Sequence, residues 1–452
     1  MRRQTYHSDL PSIAPQPRSH LTLLAAAVLM LPSAASAQAG PDPARLKANV
    51  EKLVSFGTRH TLSDPNNPKR GIGAARRWFG DEMKRTGRSC GNCLQVTTIE
   101  RVFTNERVPK GGNVVDVLAI QPGSEPNRVV IIQGHIDSRV TDVMNTTSDA
   151  PGANDDASGV SVVLEAARLL AGKKFKATIV YAALSGEEQG LLGAQLLADT
   201  VKQRGWTISA VLNNDIVGNT MGQNGQRVAD RVRVFSEGIR AIEDQPGQLN
   251  RRAIGGEDDG PSRALAKAVD KVAGAIPGGI DVMVVRRPDR FGRGGDHEPF
   301  LKLGYPAVRF SVGIENYTQQ HQDLRTDGGI EYGDTVDKMD FPYLAKVAAI
   351  NVATLSRLAA APAAPATVSL NGALSADTTG SWAAVPGASG YRVRWRRNDK
   401  QDWTDQRDLP AAATEVLLKD VIVDDNFIGV SALSADGAES LVTFGERAPR
   451  RR

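Results

Sequence analysis

Two adjacent glutamates, Glu187 and Glu188 in Leu184-Ser-Gly-Glu-Glu-Gln-Gly, follow the apolar run Ala177 to Leu184. Carboxylates packed side by side at a strand end are costly unless a positive charge sits there or one of them holds a proton. A metal ion supplies the charge, and a general base supplies a use for the proton. The chain also carries His135-Ile-Asp137, Asn154-Asp155-Asp156, Asp215 and His321. Histidine nitrogen and carboxylate oxygen suit zinc in a site that keeps a position open for water. About five such ligands, one of them bridging, would hold two ions ~3.5–4 Å apart. The set reads as a two-metal hydrolase site. Asp137, two residues after His135, is placed to take the other ring nitrogen and fix the tautomer.

These side chains need elements to present them. Apolar runs at 114–121, 129–134, 177–184, 210–216, 280–285 and 307–311 read as strands. Helical patterns fall at 44–56, 72–84, 157–170, 191–204, 262–273 and 340–358. Their alternation predicts an α/β domain whose sheet is covered by helices on both faces. In such sheets ligands bind beyond the carboxyl ends of the strands. His135, Glu187, Glu188 and Asp215 all follow strands, and Asp155 precedes a helix. Acids placed as core salt bridges would be scattered around the fold instead.

Gly134-His-Ile-Asp-Ser, Gly152-Ala-Asn-Asp-Asp-Ala-Ser-Gly-Val, Ser185-Gly-Glu-Glu-Gln-Gly-Leu-Leu-Gly-Ala, Asn214-Asp215 and Gly295-Asp-His-Glu-Pro-Phe occur in one order. In these segments residues 45–358 resemble the M28 family of co-catalytic zinc peptidases, which includes secreted leucyl aminopeptidases. The resemblance implies a mixed, mostly parallel central sheet and two zinc ions per chain. It implies that His135 and Asp215 bind one ion, Glu188 and His321 the other, and that Asp155 bridges them. The peptide after Asp155 is cis in the family. Glu187 is then the general base, taking a proton from the metal-bridging water and passing it to the leaving amine. His321 in Tyr317-Thr-Gln-Gln-His-Gln is the last ligand, followed by the Asp334-Thr335 segment. His297 competes for that place, and the family keeps its position near the site without using it as a ligand. His60, after Arg59 in a polar loop, carries no expected metal role.

The expected product is an exported dinuclear-zinc exopeptidase acting on peptides, an aminopeptidase if the acidic cluster holds a free amino terminus. The alternatives are a carboxypeptidase of the same fold, a single-zinc glutaminyl cyclase-like acyltransferase, and a non-catalytic binding protein. Ser138 and Ser158 lack a Gly-x-Ser-x-Gly elbow. No Gly-x-Gly-x-x-Gly follows a strand. Nucleic acid is excluded as a partner because no basic stripe is interleaved with aromatics.

The 452-residue chain is long enough for a large domain and a small one. Residues 1–37 read as a signal peptide: Arg2, Arg3 and Arg18, an apolar stretch at 21–30, and Ala35-Ser36-Ala37 as the cleavage site. Ten apolar residues are too few to span a bilayer, which needs ~20. Cleavage halves the formal charge of +4. The mature chain, expected to be a periplasmic or secreted monomer, has no predicted membrane span. Cys90 and Cys93 are the two cysteines and read as one structural disulfide. Residues 41–358 form the peptidase-like domain, 359–366 an Ala/Pro linker, and 367–447 a small all-β sandwich. That last segment resembles a fibronectin type III module in Trp382, Val385-Pro-Gly-Ala-Ser-Gly and the Tyr391 to Trp395 strand. It is expected to be an accessory domain for a protein or surface. The specificity pocket is expected to draw its walls from 218–260 and 286–296. Arg286, Arg287, Arg290 and Arg293 read as a solvated loop, with attraction of acidic peptides as the rival reading.

Overall fold

The computed structural model describes residues 40–448, so the signal peptide expected at 1–37 lies outside the described residues. Asp42 caps α1 (Pro43–Val54) by accepting from Ala44 N, and Leu46, Val50 and Leu53 share its buried face. After α2 (Gly71–Ser89), Cys90 and Cys93 are joined by a disulfide. The chain then runs through β1 (Gln95–Asn105), β2 (Val108–Gln121) and β3 (Glu125–His135). It crosses α3 (Ala157–Leu170) to β4 (Ala177–Leu184), and α4 (Leu192–Gln203) to β5 (Thr207–Asn214). β6 (Arg231–Phe235), α5 (Gln245–Ala253), α6 (Pro261–Ala273), β7 (Asp281–Val285), α7 (Glu298–Lys302) and β8 (Ala307–Val312) follow. A hairpin of β9 (Arg325–Asp327) and β10 (Ile330–Tyr332) precedes the closing helix α8 (Phe341–Ala360).

Eight strands form one sheet in the order β1-β2-β4-β3-β5-β8-β6-β7. Its centre, β4-β3-β5-β8, is parallel, while β1–β2, β2–β4 and β6–β8 are antiparallel. The sheet is therefore mixed and mostly parallel, as expected. Its faces explain the unbroken apolar runs. Val130 and Ile132 pack with α1, α3 and α8, whereas Val129 and Ile131 pack with Leu197 and Val201 of α4 and Phe300 of α7. A strand buried on both faces has no position for a polar residue.

The second unit contains β11 (Val368–Asn371), β12 (Thr378–Trp382), β13 (Gly390–Arg397), β14 (Asp405–Pro410), β15 (Glu415–Leu418), β16 (Asn426–Leu433) and β17 (Thr443–Arg447). They make a curled seven-stranded sheet, β14-β13-β16-β17-β11-β12-β15, and the parallel β11–β17 pair joins its halves. Trp382 and Tyr391 stack at 5.3 Å within its core. Segment 245–259 packs against this unit: Phe427 faces Gly255, and Arg396 of β13 pairs with Asp258 at 2.8 Å. The expectation that 218–260 walls the specificity pocket is thus corrected, because its chain is used in β6 and in this contact.

Glu439 ties the two units together. Its 4% exposed side chain meets Arg394 at 2.8 Å, Arg357 of α8 at 3.0 Å, Arg392 at 3.3 Å and Lys271 of α6 at 3.5 Å. Ser431 Oγ donates to it at 2.8 Å. Burial alone would raise its pKa, but Arg394 and its cationic neighbours outweigh burial and hold it at about 2.

The strand ends that matter lie level. His135 pairs with Leu184 across β3–β4, and Gln133 with Asn213 across β3–β5. Residues after these three strands therefore emerge side by side. Asp156 caps α3 and ties it to both neighbours. Its Oδ1 accepts from Gly159 N at 2.9 Å and Ile216 N at 3.4 Å, and its Oδ2 accepts from His135 N at 3.0 Å. A Cβ on Gly134 would lie 2.8 Å from the Gly159 carbonyl carbon and 2.9 Å from Asp156 Oδ2, so that close approach requires glycine.

Two predictions follow from these anchors. Glu439 has a folded pKa near 2 against an ordinary 4.5. Its contribution is therefore full above about 4.5 and is lost as pH falls toward 2; the shift is worth on the order of 3 kcal/mol. Urea melts between pH 6 and 3 should show Glu439→Gln less stable at pH 6, with the gap to the parent chain closing as pH falls. Asp156→Ala leaves buried N–H groups without acceptors. It should lower the stability of the metal-free protein by about 3 kcal/mol, read from melts in chelator. A loss below about 1 kcal/mol would deny Asp156 this tying role.

Candidate metal centre

All seven expected site residues meet at the carboxyl edge of β3, β4 and β5. His135 ends β3, and Glu187 and Glu188 lie in the turn after β4. Asp215 follows β5, Asp155 precedes α3, and His321 comes from the loop between β8 and β9. Donor atoms of His135, Glu187 and Asp215 lie within 4.8 Å of one another, and so do those of Asp155, Glu188 and His321. Asp155 stands between the groups. Its Oδ1 is 3.0 Å from His135 Nε2, and its Oδ2 is 3.0 Å from His321 Nε2. The Asp155–Asp156 peptide is cis.

The donors fit a cation better than they fit one another. His135 Nε2 and Glu188 Oε1 are buried and have no aligned hydrogen-bond partner. Yet Asp155 Oδ1 lies 3.0 Å from the first, and His321 Nε2 lies 3.1 Å from the second. Close approach without hydrogen-bond alignment is what lone pairs aimed at a shared ion produce.

Asp137 organises the cluster from behind. Its carboxylate accepts from Thr61 Oγ1 at 3.0 Å, Glu188 N at 3.2 Å and Glu187 N at 3.4 Å. It faces His135 Nδ1 at 3.5 Å, while its own backbone oxygen is closer at 3.2 Å. The tautomer-fixing contact read from the sequence is thus shared between carboxylate and carbonyl. Asp334 accepts from Asn154 N at 2.9 Å and Asp155 N at 2.7 Å, which fixes the backbone that carries Asp155.

Electrostatics follow from crowding. Burial pushes Glu187 well above the usual carboxylate range; His135 opposes this, and Glu188, Asp215 and Asp155 reinforce it. Burial likewise raises Asp215 to about 6 against the pull of Arg309. Burial disfavours a charged His135, but Asp137 and Asp155 outweigh it and hold its pKa well above the ordinary value. His321 behaves alike, reaching about 10 beside Glu188 and Asp155.

Two arginines absent from the sequence reading complete the balance. Arg139 Nε pairs with Glu188 Oε2 at 2.8 Å, and fully buried Arg309 pairs with Asp215 Oδ1 at 2.8 Å. Arg139 Nη2 also lies 2.6 Å from His321 Nδ1. A guanidinium only donates, so a hydrogen on Nδ1 and this contact exclude each other. Neither arginine belongs to a spaced motif; the signal that could have found them is an acidic cluster that lacked cations in sequence.

His297 and His60 stand apart from both groups. His297 Nε2 is 2.6 Å from Pro288 O. His60 is buried rather than set in an open loop, with Nε2 2.8 Å from Val143 O. A cavity of about 900 Å³ opens over the cluster. Its walls include Arg107 of the β1–β2 turn, Arg290 and Arg293 of the 286–296 loop, and Tyr317, but no residue of 218–260. Arg290 and Arg293 are not freely solvated: both pair with buried Glu315, at 3.4 and 2.9 Å.

The chain is 43% identical over 405 residues to a probable zinc metalloprotease of Leptosphaeria maculans, covering 88% of this chain and 93% of that one. It is 42% identical over 418 residues to another so named from Pyricularia oryzae, covering 89% and 82%. Among solved structures it shares a fold with LapB from Legionella pneumophila (18% identity, TM-score 0.51, covering 70% and 72%). It likewise shares a fold with the glutaminyl cyclase of Porphyromonas gingivalis (19%, TM-score 0.50, covering 70% and 99%). The family profile described as peptidase family M28 matches residues 116–354. With that match over half of its length, and with relatives this similar, the chain belongs to peptidase family M28.

Proposed function

We propose that this chain is an exported zinc exopeptidase with two ions per chain, acting as an aminopeptidase. The observation that carries the reading is Asp155, whose two oxygens each face a different histidine at 3.0 Å. His135 and Asp215 would hold one ion, His321 and Glu188 the other, and Asp155 would serve both. Zinc bound there supplies Lewis acidity and lowers the pKa of water. Glu187 is left as the carboxylate with no ligand duty. It takes the proton of the attacking water and delivers it to the nitrogen of the broken peptide bond. Burial favours its protonated form, which holds the proton between the two steps. Asp137 keeps Glu187 in place through the backbone of the 187–188 turn.

The acidic surroundings suit a substrate's free ammonium group, which supports an aminopeptidase. The likeness in fold to a glutaminyl cyclase keeps one rival, a single-zinc acyltransferase. A second set of donors favours the two-ion hydrolase. Export is supported by the arginines, apolar stretch and Ala35-Ser36-Ala37 of the first 37 residues, and by the Cys90–Cys93 disulfide. Among the described residues no helix is long and apolar enough to cross a membrane. The C-terminal β unit serves as an accessory domain in this reading.

Metal analysis of the purified chain should give two zinc ions per molecule, in Glu187→Gln as in the parent. Cleavage of an aminoacyl-anilide panel should fall about 10²- to 10⁴-fold in the variant. One zinc per chain and no cleavage by the parent would move the assignment to the acyltransferase.

A further inference from the structure

The residues lining the cavity over the candidate metal centre are mostly of charged or polar type. Leu191 and Tyr317 are the apolar side chains among its lining residues, and Tyr317 is 56% exposed. A pocket that selects leucine or phenylalanine side chains is built mainly from apolar side chains, and here only these two are among the lining residues. Four arginines line it instead: Arg107, Arg139, Arg290 and Arg293.

Their engagement differs. Arg139 is taken up by Glu188, His321 and the backbone oxygens of Val140 and Thr141. Arg290 is taken up by Asp289, Gly294 O and Glu315. Arg107 donates to Glu188 O from Nη1 and is otherwise exposed. Arg293 donates from Nη1 alone, to Glu315 Oε2 at 2.9 Å and Gln320 Oε1 at 3.2 Å. Gln320 in turn donates to Asp155 Oδ2 at 3.2 Å, so Arg293 stands one side chain away from the metal donors. Its Nε and Nη2 have no protein acceptor among the described residues, and its side chain is 32% exposed. The guanidinium is gripped on one edge and open on the other.

Charge counting points to the same residue. Glu315 is shared by Arg233, Arg290 and Arg293, and Asp289 by Arg290 and Arg309. Arg309 also uses Asp215. Once Asp215 serves a cation, Glu315 and Asp289 are left facing four guanidiniums. The surplus positive charge reaches the cavity at Arg293.

We propose that Arg293 pairs with a carboxylate of the peptide substrate and makes the enzyme selective for acidic substrates. The inference rests on the peptidase reading above. A guanidinium with two adjacent free N–H groups accepts a carboxylate side-on through two hydrogen bonds. That carboxylate comes either from an Asp or Glu side chain beside the scissile bond or from the C-terminus of a short peptide.

The test compares kcat/KM within matched pairs for the zinc-loaded full chain. Glutamyl- against glutaminyl-4-nitroanilide reads the side chain, and an alanyl dipeptide against its C-terminal amide reads the terminus. One pair should favour the acid by about tenfold or more, the worth of a charge-assisted pairing. In Arg293→Gln that ratio should collapse to about one, and in Arg293→Lys, which keeps the charge without the fork, it should persist at a reduced value. Each ratio is internal to one protein, so partial misfolding of a variant cancels. Ratios near one for the parent in both pairs, or a preference that survives Arg293→Gln, would overturn the inference while leaving the peptidase reading standing. No turnover of any substrate would overturn the peptidase reading and this inference with it.

Discussion

Three buried carboxylates, Asp155, Glu188 and Asp215, and the half-buried Glu187 converge at the ends of three parallel strands, and the rest of the site answers that crowding. Left to themselves, such groups cannot all ionise in a poorly hydrated place. Three kinds of compensation are present. His135 and His321 bracket Asp155, Arg139 and Arg309 pair with Glu188 and Asp215, and burial favours a proton on Glu187. The geometry leaves room for a fourth, because His135 Nε2 and Glu188 Oε1 are close to partners without being aligned to them.

The sheet makes this convergence possible. A parallel core delivers every strand's carboxyl end to one edge, and the level pairing of β3 with β4 and β5 sets those ends side by side. The apolar runs that build the core also confine polar residues to the strand ends, since both faces are covered. Asp156 then converts level strands into a fixed constellation. One carboxylate accepts from the backbone of His135, of Ile216 and of the first turn of α3. Asp137 does the same for the 187–188 turn, and Asp334 for the peptide carrying Asp155. The backbone of His135, of Asp155 and of Glu188 is therefore each held by a second acid.

The sequence made part of this legible. His135, Glu187, Glu188 and Asp215 follow apolar runs that mark strands, and Asp155 precedes a run that marks a helix, whereas His321 was placed through the family resemblance. What stayed hidden depends on contacts between distant segments. Arg139 and Arg309 balance the site from loop and strand positions that carry no spacing signature. Segment 218–260 is rich in Gly, Asp and Arg and reads as a loop. It nonetheless contains β6, and its later part meets β13 and Phe427 of the C-terminal unit. Arg290 and Arg293 read as solvated because their shared anion, Glu315, lies more than twenty residues away. His60 read as a residue of a polar loop without a metal role, and the fold buries it with Nε2 against Val143 O.

The arginines also bear on how the chain and its ions depend on each other. A structural zinc site folds with its metal because nothing else neutralises its ligands. Here Arg139, Arg309 and retained protons already do so, and Asp156, Asp137 and Asp334 fix the backbone without calling on an ion. Folding would then be separable from metal loading, and a bound ion would add stability only through mass action. Each candidate half has its own guanidinium, Arg309 on Asp215 and Arg139 on Glu188, so an ion entering either half would meet a carboxylate already paired with an arginine.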